Sequence, residues 1–219
     1  MVKRLFVCLL VVAAIALSSR DAAASEFTYT FQCITGISSS DVNCSVLETQ
    51  LSVTIGLNAN DTNMVDFLFK NSGPAASSIT DVYFEDPPPL LGNPAIISAS
   101  SGVSFSTNCS PGNLSGGQSY GFTSTYCADS NSPVQPNGVN PTEWLRLSYT
   151  LQNNATLLDV LNAIAGDTFN VGIHVQGFSG GGSESGLMHL QPVPEPASIL
   201  LLGGGAAAAF IRRRRRPTQ

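Results

Sequence analysis

Basic residues are scarce over most of this 219-residue chain, which contains ten lysines and arginines. Eight of the ten stand near the two ends, so that only Lys70 and Arg146 lie between residues 25 and 193. That stretch carries thirteen acidic residues and a net charge of −11. A surface of this charge repels phosphate backbones. The composition therefore predicts no nucleic-acid partner.

Recognisable metal and catalytic patterns are also missing. The chain has two histidines, His174 and His189, and neither stands at ligand spacing from a cysteine or carboxylate. His174 falls on the polar side of a candidate strand, which favours an ordinary sheet residue. A zinc site built from cysteines is a competing interpretation, but no C-x2-C pair supports it. We expect no cofactor, no metal and no catalytic residues.

No apolar run reaches the ~20 residues of a typical spanning helix. Near the N-terminus, Lys3 and Arg4 precede an apolar run from Leu5 to Leu17. An A-x-A step follows at Ala22 to Ala24. This order is typical of a secretory signal peptide, which we place at residues 1–24. A membrane anchor that is never cut is the alternative, and the shortness of the run argues against it.

The cysteine count agrees with export. Cys8 lies in the predicted signal peptide, and four cysteines remain in the rest of the chain. An even number of cysteines in an exported chain suggests disulfides. Three pairings are open, and we favour Cys33–Cys44 and Cys109–Cys127 because both close local loops in turn-rich segments.

Alternation of apolar and polar residues dominates the middle of the chain. Period two with one polar face is typical of half-buried antiparallel strands, and Pro-, Gly- and Asn-rich turns separate the runs. The clearest runs are Phe27/Tyr29/Phe31/Cys33, Leu47/Leu51/Val53/Ile55/Leu57, Val65/Phe67/Phe69, Leu145/Leu147/Tyr149/Leu151 and Phe169/Val171/Ile173/Val175. Residues 78–84, 95–99 and 119–126 add less regular strands. We predict a mainly β fold, an antiparallel β-sandwich, as an ectodomain over residues 25–190.

One segment has helical spacing instead. Its apolar residues are Leu157, Leu158, Val160, Leu161 and Ile164. Thr156 and Asp159 can form a capping box, and Gly166 stands where the helix would end. We expect one short helix that covers an edge or end of the sandwich.

The C-terminal segment, residues 191–219, contains an uncharged run from Ala197 to Ile211. As a helix this run would be about 22 Å long, against a hydrocarbon core of ~30 Å. It would span only with local thinning or help from its flanks. A basic cluster follows, made of Arg212, Arg213, Arg214, Arg215 and Arg216. The positive-inside rule places this cluster in the cytoplasm and the ectodomain outside.

Pro194, Glu195 and Pro196 precede that run. A Pro-Glu-Pro step, an apolar helix and a basic cluster at the extreme C-terminus closely resemble the PEP-CTERM sorting signal of Gram-negative bacteria. The resemblance covers Pro194 to Gln219. It implies recognition at the Pro-Glu-Pro step by a membrane protease called an exosortase, with transient anchoring in the membrane. It further implies cleavage nearby and delivery to the cell surface or extracellular matrix. A plain tail anchor or an arginine-rich nucleic-acid patch fits the leader and the Pro-Glu-Pro step less well.

Three stretches of the ectodomain were considered as sites. Gly177, Ser179 and Gly181 match G-x-S-x-G, but no helix follows, so a hairpin or linker is favoured over a nucleophile elbow. Asp81, Glu85 and Asp86 adjoin a proline run that could present Glu85 and Asp86 to a cation such as calcium, but an ordinary solvated loop is favoured. Residues 58–63 form a second oxygen-rich loop, and neither stretch has the pattern of an EF-hand.

The function expected from the sequence is that of an exported, non-enzymatic protein of the cell surface or matrix. The alternative is an adhesion module that binds exopolysaccharide, with stacking on sugars by one or more of Trp144, Tyr120, Tyr126 and Phe122. A secreted hydrolase that uses Glu143 and Asp129 is less favoured, because no sequence spacing supports that pair.

Overall fold

The computed structural model describes residues 26–36, 41–110 and 112–188. Ten strands lie in this part of the chain: β1 Phe27–Cys33, β2 Leu51–Leu57, β3 Met64–Asn71, β4 Ser78–Glu85, β5 Leu91–Ala99, β6 Phe105–Ser106, β7 Tyr126–Ser130, β8 Trp144–Leu151, β9 Asn170–Gln176 and β10 Glu184–Met188. The helices are α1 Val42–Gln50, α2 Val134–Asn137 and α3 Leu157–Ala165, with a 3-10 helix at Gly117–Tyr120.

All ten strands join one antiparallel sheet in the order β5-β8-β3-β2-β1-β10-β9-β4-β7-β6. Strand β1 divides the sheet, because Phe27 to Thr30 pair with β2 whereas Phe31 to Cys33 pair with β10. We call β5, β8, β3, β2 and the start of β1 the first half-sheet. The rest of β1 with β10, β9, β4, β7 and β6 is the second half-sheet.

The sheet curls so that its two halves pack face to face. Phe67 of β3 and Phe84 of β4 belong to different halves, yet their ring centroids lie 5.1 Å apart. Tyr149 and Phe169 contact the same rings from β8 and the start of β9. The core therefore lies between two layers, as in a sandwich, but a shared strand joins the layers into one sheet.

The prediction of a mainly antiparallel β fold is confirmed. Val53, Phe67, Leu147, Val171 and most other inward members of the alternating runs are buried, and Phe27, Cys33, Leu57 and Leu151 at the strand ends are half-buried. The predicted helix is also present. Its N-terminus has the expected capping box between Thr156 and Asp159, and Gly166 is its C-cap.

Two sequence interpretations were wrong. Leu47 belongs to helix α1 and not to a strand, although it is fully buried in the core. The Asp41 side chain caps this helix by accepting hydrogen bonds from the backbone N–H groups of Asn43 and Cys44. Residues 119–126 were expected to form a strand. They instead contain the end of the 3-10 helix and a turn, and β7 begins only at Tyr126.

Within the described ranges, no helix is long and apolar enough to cross a membrane. The predicted signal peptide and the predicted spanning run from Ala197 to Ile211 both lie outside those ranges.

Candidate functional site

Two disulfides, Cys33–Cys44 and Cys109–Cys127, have the pairing favoured from the sequence. The first bonds β1 to helix α1. The second bonds the segment between β6 and β7 to strand β7 itself. Each disulfide lies near a carboxylate, Glu184 in the first case and Asp129 in the second. Because both sulfurs of each pair are bonded to each other, they offer no thiolate to a metal.

The outer surface of the second half-sheet, which we call the covered face, carries a second small core. Leu114 and Phe122, from the segment between β6 and β7, pack there with Ile34 and Leu187. Gly172 makes this approach possible, since a Cβ at that position would lie 2.5 Å from Cδ2 of Leu114. The Glu85 carboxylate also accepts a hydrogen bond from the Thr123 N–H at 3.1 Å. The segment is therefore fixed to the sheet by packing, by a hydrogen bond and by the Cys109–Cys127 bond.

A row of polar residues crosses the covered face beside this small core. Strand pairing places Ser185, His174, Asp81 and Asp129 next to one another across β10, β9, β4 and β7. Partial burial raises the pKa of Asp129 to about 6, and the charge of Asp81 and a hydrogen bond with it act in the same direction. Burial and the same two carboxylates raise the pKa of Tyr83 to about 12. In this row the charge of Asp81 thus disfavours the ionisation of Asp129.

A serine and a histidine are in contact in this row, but the serine hydroxyl is not accessible to a substrate. The Nδ1 atom of His174 lies 3.3 Å from Oγ of Ser185. Ser185 is fully buried, and its backbone N–H donates to Oγ1 of Thr35. A substrate carbonyl cannot reach a hydroxyl in that position. His174 is a half-buried sheet residue on the polar side of β9, as the sequence suggested.

The G-x-S-x-G match is a hairpin loop. Strand β9 ends at Gln176 and β10 begins at Glu184, so that a strand and not a helix follows Ser179. Gly177 and Gly181 have φ angles of 72° and 77°, which turn the chain between the strands. The expectation of a hairpin is confirmed.

The proline run does not present Asp86 outward to a cation. Asp86 is only 2% exposed, and its carboxylate accepts hydrogen bonds from the N–H groups of Leu90 and Leu91. Burial raises the pKa of Asp86 and outweighs these bonds, which act in the opposite direction. The side chain holds the loop after β4 closed.

The oxygen-rich loop at residues 58–63 also directs its side chains to its own backbone. Oδ1 of Asn58 accepts from the N–H groups of Asn60 and Asp61. Oδ1 of Asp61 accepts from the N–H group of Asn63. These are the bonds of Asx turns, which account for the abundance of asparagine and aspartate here.

The outer surface of the first half-sheet, which we call the bare face, differs from the covered face. Three of the pairing rows that cross it are Thr30/Ser52/Lys70/Trp144, Thr28/Thr54/Leu68/Arg146/Ser98 and Gly56/Asp66/Ser148/Ile96. Lys70, Ser98 and Ile96 are exposed, and Trp144 and Arg146 are half-buried. Asp66, the acidic residue of these rows, is buried beside Arg146. The two basic residues of the ectodomain thus lie beside its one tryptophan.

The four aromatic residues considered for sugar stacking do not form one site. Phe122 is 3% exposed in the small core of the covered face. Tyr126 packs against the main core and donates to the carbonyl of Leu91. Tyr120 is 55% exposed in the 3-10 helix. Of the four, only Trp144 lies on the bare face.

A groove of about 380 Å³ opens at one end of the sheet, where the loop after β3 meets helix α2. Gln135 and Asn140 contribute its polar lining. The Asn140 amide donates to the carbonyls of Pro136 and Gly138 and to Glu143. The Gln135 amide lies at the limit of hydrogen-bond distance, 3.5 Å, from the Gln176 side chain. These amides hold the loops of the groove together.

The carboxylates considered for a hydrolase have separate partners. Glu143 accepts from both the backbone N–H and the side-chain amide of Asn140, and so caps the turn before β8. Asp129 lies beside Asp81 on the covered face. No contact joins Glu143 to Asp129 among the described residues.

The predicted sorting residues, Pro194, Glu195 and Pro196, and the cluster Arg212 to Arg216 lie outside the described ranges, as does His189. Comparison with known proteins bears on this segment. The family model of the PEP-CTERM protein-sorting motif matches residues 192–216. No curated protein and no solved structure matches the chain significantly.

Proposed function

We propose, from the PEP-CTERM motif at the end of this chain, that the protein is exported and then sorted by an exosortase. The membrane enzyme recognises Pro194, Glu195 and Pro196 and cuts nearby. The β domain is thereby released from its transient anchor to the cell surface or matrix. The match at residues 192–216 is the observation that carries this proposal.

Features elsewhere in the molecule support it. Disulfides persist in oxidising compartments, whereas the cytosol keeps cysteine thiols reduced. The two disulfides of the domain therefore agree with export. The last strand, β10, ends at Met188, and only residues 189–191 stand between it and the matched segment. The domain and the sorting signal are therefore consecutive units of the chain.

We further propose that the domain is not an enzyme. The one serine–histidine contact in the described chain involves a serine that is fully buried. The Asp81 and Asp129 carboxylates lie in a sheet row beside the small core rather than in a cleft. These features support a structural or binding role for the domain.

Mass spectrometry of the two ends of the protein, in cells with and without the exosortase, tests the sorting proposal. The mature protein should lack residues 1–24 and the cluster Arg212 to Arg216. Without the exosortase, the arginines should remain and the protein should stay with the membrane fraction.

A variant pair sharpens this experiment. Glu195→Ala should block removal of the basic end, whereas Glu26→Ala, at an exposed position of the domain, should not. Full-length chain in the cytosol, with free thiols and an intact leader, would contradict the proposal.

A further inference from the structure

The charge of the domain is distributed very unevenly over its two outer faces. Residues 25–193 contain thirteen acidic residues and only two basic ones, Lys70 and Arg146. Both basic residues lie on the bare face, and the only tryptophan of the chain, at the start of β8, lies beside them. A strongly acidic domain thus presents all its positive charge at one place, next to its largest aromatic ring.

The sheet fixes the geometry of these three side chains. Lys70 is the direct cross-strand partner of Trp144, which places their Cβ atoms ~5 Å apart. Arg146 follows Trp144 by two residues on the same face, and its Cζ atom lies 6.0 Å from the centroid of the indole ring. The cluster therefore sits on rigid strands and not on loops.

The polar groups of the cluster are largely unused within the domain. The Lys70 ammonium makes no hydrogen bond or ion pair with any residue in the described ranges. Arg146 approaches Asp66 through Nε alone, at 3.6 Å, and this Nε makes no hydrogen bond. No described residue accepts a hydrogen bond from the indole N–H of Trp144. Donors and positive charge are thus available to a ligand.

We propose that the bare face binds a carboxylate-bearing polysaccharide strand, such as one that contains uronic acids. The Arg146 guanidinium and the Lys70 ammonium bind carboxylates. The planar guanidinium can do so with two parallel hydrogen bonds. Trp144 offers an apolar ring to a sugar and its N–H to a sugar hydroxyl. The hydroxyl rows of Ser52, Thr30 and Ser98 extend the polar surface on either side. This inference rests on the proposed function, since it requires the domain to reach the outside.

Charge complementarity selects a single flexible strand as the occupant. A bilayer of anionic lipid or a nucleic-acid duplex brings many negative charges near the whole domain, whose net charge is −11. A polysaccharide strand can lie along the bare face, where Asp66 is buried beside Arg146, while Asp81 and Asp129 of the covered face lie on the far side of the core. Screening over a Debye length of ~8 Å at physiological salt weakens their repulsion further.

Affinity electrophoresis of the full-length protein in mild detergent tests the proposal. Gels contain polygalacturonate, or the same polymer with its carboxyls methyl-esterified. The polyuronate should retard the protein, and the esterified polymer should retard it much less. Lys70→Gln should weaken binding about tenfold, which is the effect of losing one charge-assisted contact.

Gln118→Glu is the matched control, because it lowers the net charge by the same amount at an exposed position of the 3-10 helix. It should change the affinity little. Equal retardation by the esterified polymer would overturn the proposal, and so would equal losses in Lys70→Gln and Gln118→Glu.

Folding and sorting are measured separately. The melting temperature of Lys70→Gln should match that of the wild type, because Lys70 is exposed and unpaired within the described chain. A protein that binds polyuronate but keeps its arginine end in cells would contradict the sorting proposal alone. Correct processing without binding would contradict this inference alone.

Discussion

The two outer faces of the curled sheet are built from the same kind of antiparallel strand, but only the covered face carries a second small core. On the covered face, Gly172 and Leu187 leave room and apolar surface for Leu114 and Phe122. On the bare face, the corresponding rows present hydroxyls, two cations and a tryptophan. Whether a loop segment packs on the outer face of a sheet thus depends on the size and polarity of the outward residues. Alternation of apolar and polar residues alone does not decide it. The covered face contributes stability, whereas no segment of the described ranges forms a second core on the bare face.

The largest effect should come from opening the covered face at its disulfide. Changing both Cys109 and Cys127 to serine should lower the free energy of unfolding by about 3 kcal/mol, because the bond closes a loop with a sequence separation of 18. Urea denaturation measures this loss, and limited proteolysis should cut between β6 and β7 first. Unchanged unfolding, with no new cleavage there, would show that packing alone holds the segment.

A matched pair of leucines compares the two faces directly. Leu114→Ala removes a side chain that is 2% exposed and should cost about 2–3 kcal/mol. Leu68→Ala, on the bare face, removes a half-buried side chain and should cost less than ~1 kcal/mol. Denaturant unfolding of the two variants gives the difference. Equal losses would mean that the bare face is packed as tightly as the covered one.

The pH dependence of stability should reveal the acidic row of the covered face. The folded-state pKa of Asp129 is raised to about 6 from an ordinary value of 3.8. The folded protein therefore holds this proton between about pH 4 and pH 6 while the unfolded chain releases it, so stability falls as the pH rises through that window.

Asp129→Asn should remove that fall and raise stability at pH 7. The gain should be no more than ~1–2 kcal/mol, since Asp129 is partly exposed and its charge is screened by solvent. Thermal unfolding from pH 4 to pH 7 measures both curves. Parallel curves for the two proteins would contradict the raised pKa.

The smallest effect should come from the charged residue of the bare face. Lys70→Gln should change the free energy of unfolding by less than ~0.5 kcal/mol, as is usual for an exposed residue without partners. Calorimetry at low and moderate salt can detect a larger change. A loss above 1 kcal/mol would mean that Lys70 stabilises the fold, and the contrast between the faces would then be weaker than described.

Local features of the fold could be predicted from the sequence. Helix α3 was recognised because its cap, Thr156 with Asp159, and its stop at Gly166 are all within a few residues of its apolar stripe. Helix α1 could not be predicted from periodicity, because the apolar alternation of β2 extends back in the sequence to Leu47. The signal that could have found it is Asp41, whose side chain caps the helix.

Features that depend on distant residues could not be predicted. The packing of Leu114 on Gly172 brings together a loop and a strand that no local pattern relates. The same holds for Lys70 and Trp144, which become neighbours only through the pairing of β3 with β8. The C-terminal sorting motif could be identified from the sequence, because its Pro-Glu-Pro step, apolar run and arginines are consecutive.

The division of β1 between two partners sets an order of assembly. Its second part, Phe31 to Cys33, pairs with β10, the last strand of the domain, and β10 is also the link to β9. Synthesis proceeds from the N-terminus, so the seam between the two halves stays open until residues 184–188 have been made. Closure of the sheet therefore depends on a strand that almost directly precedes the sorting motif in the sequence.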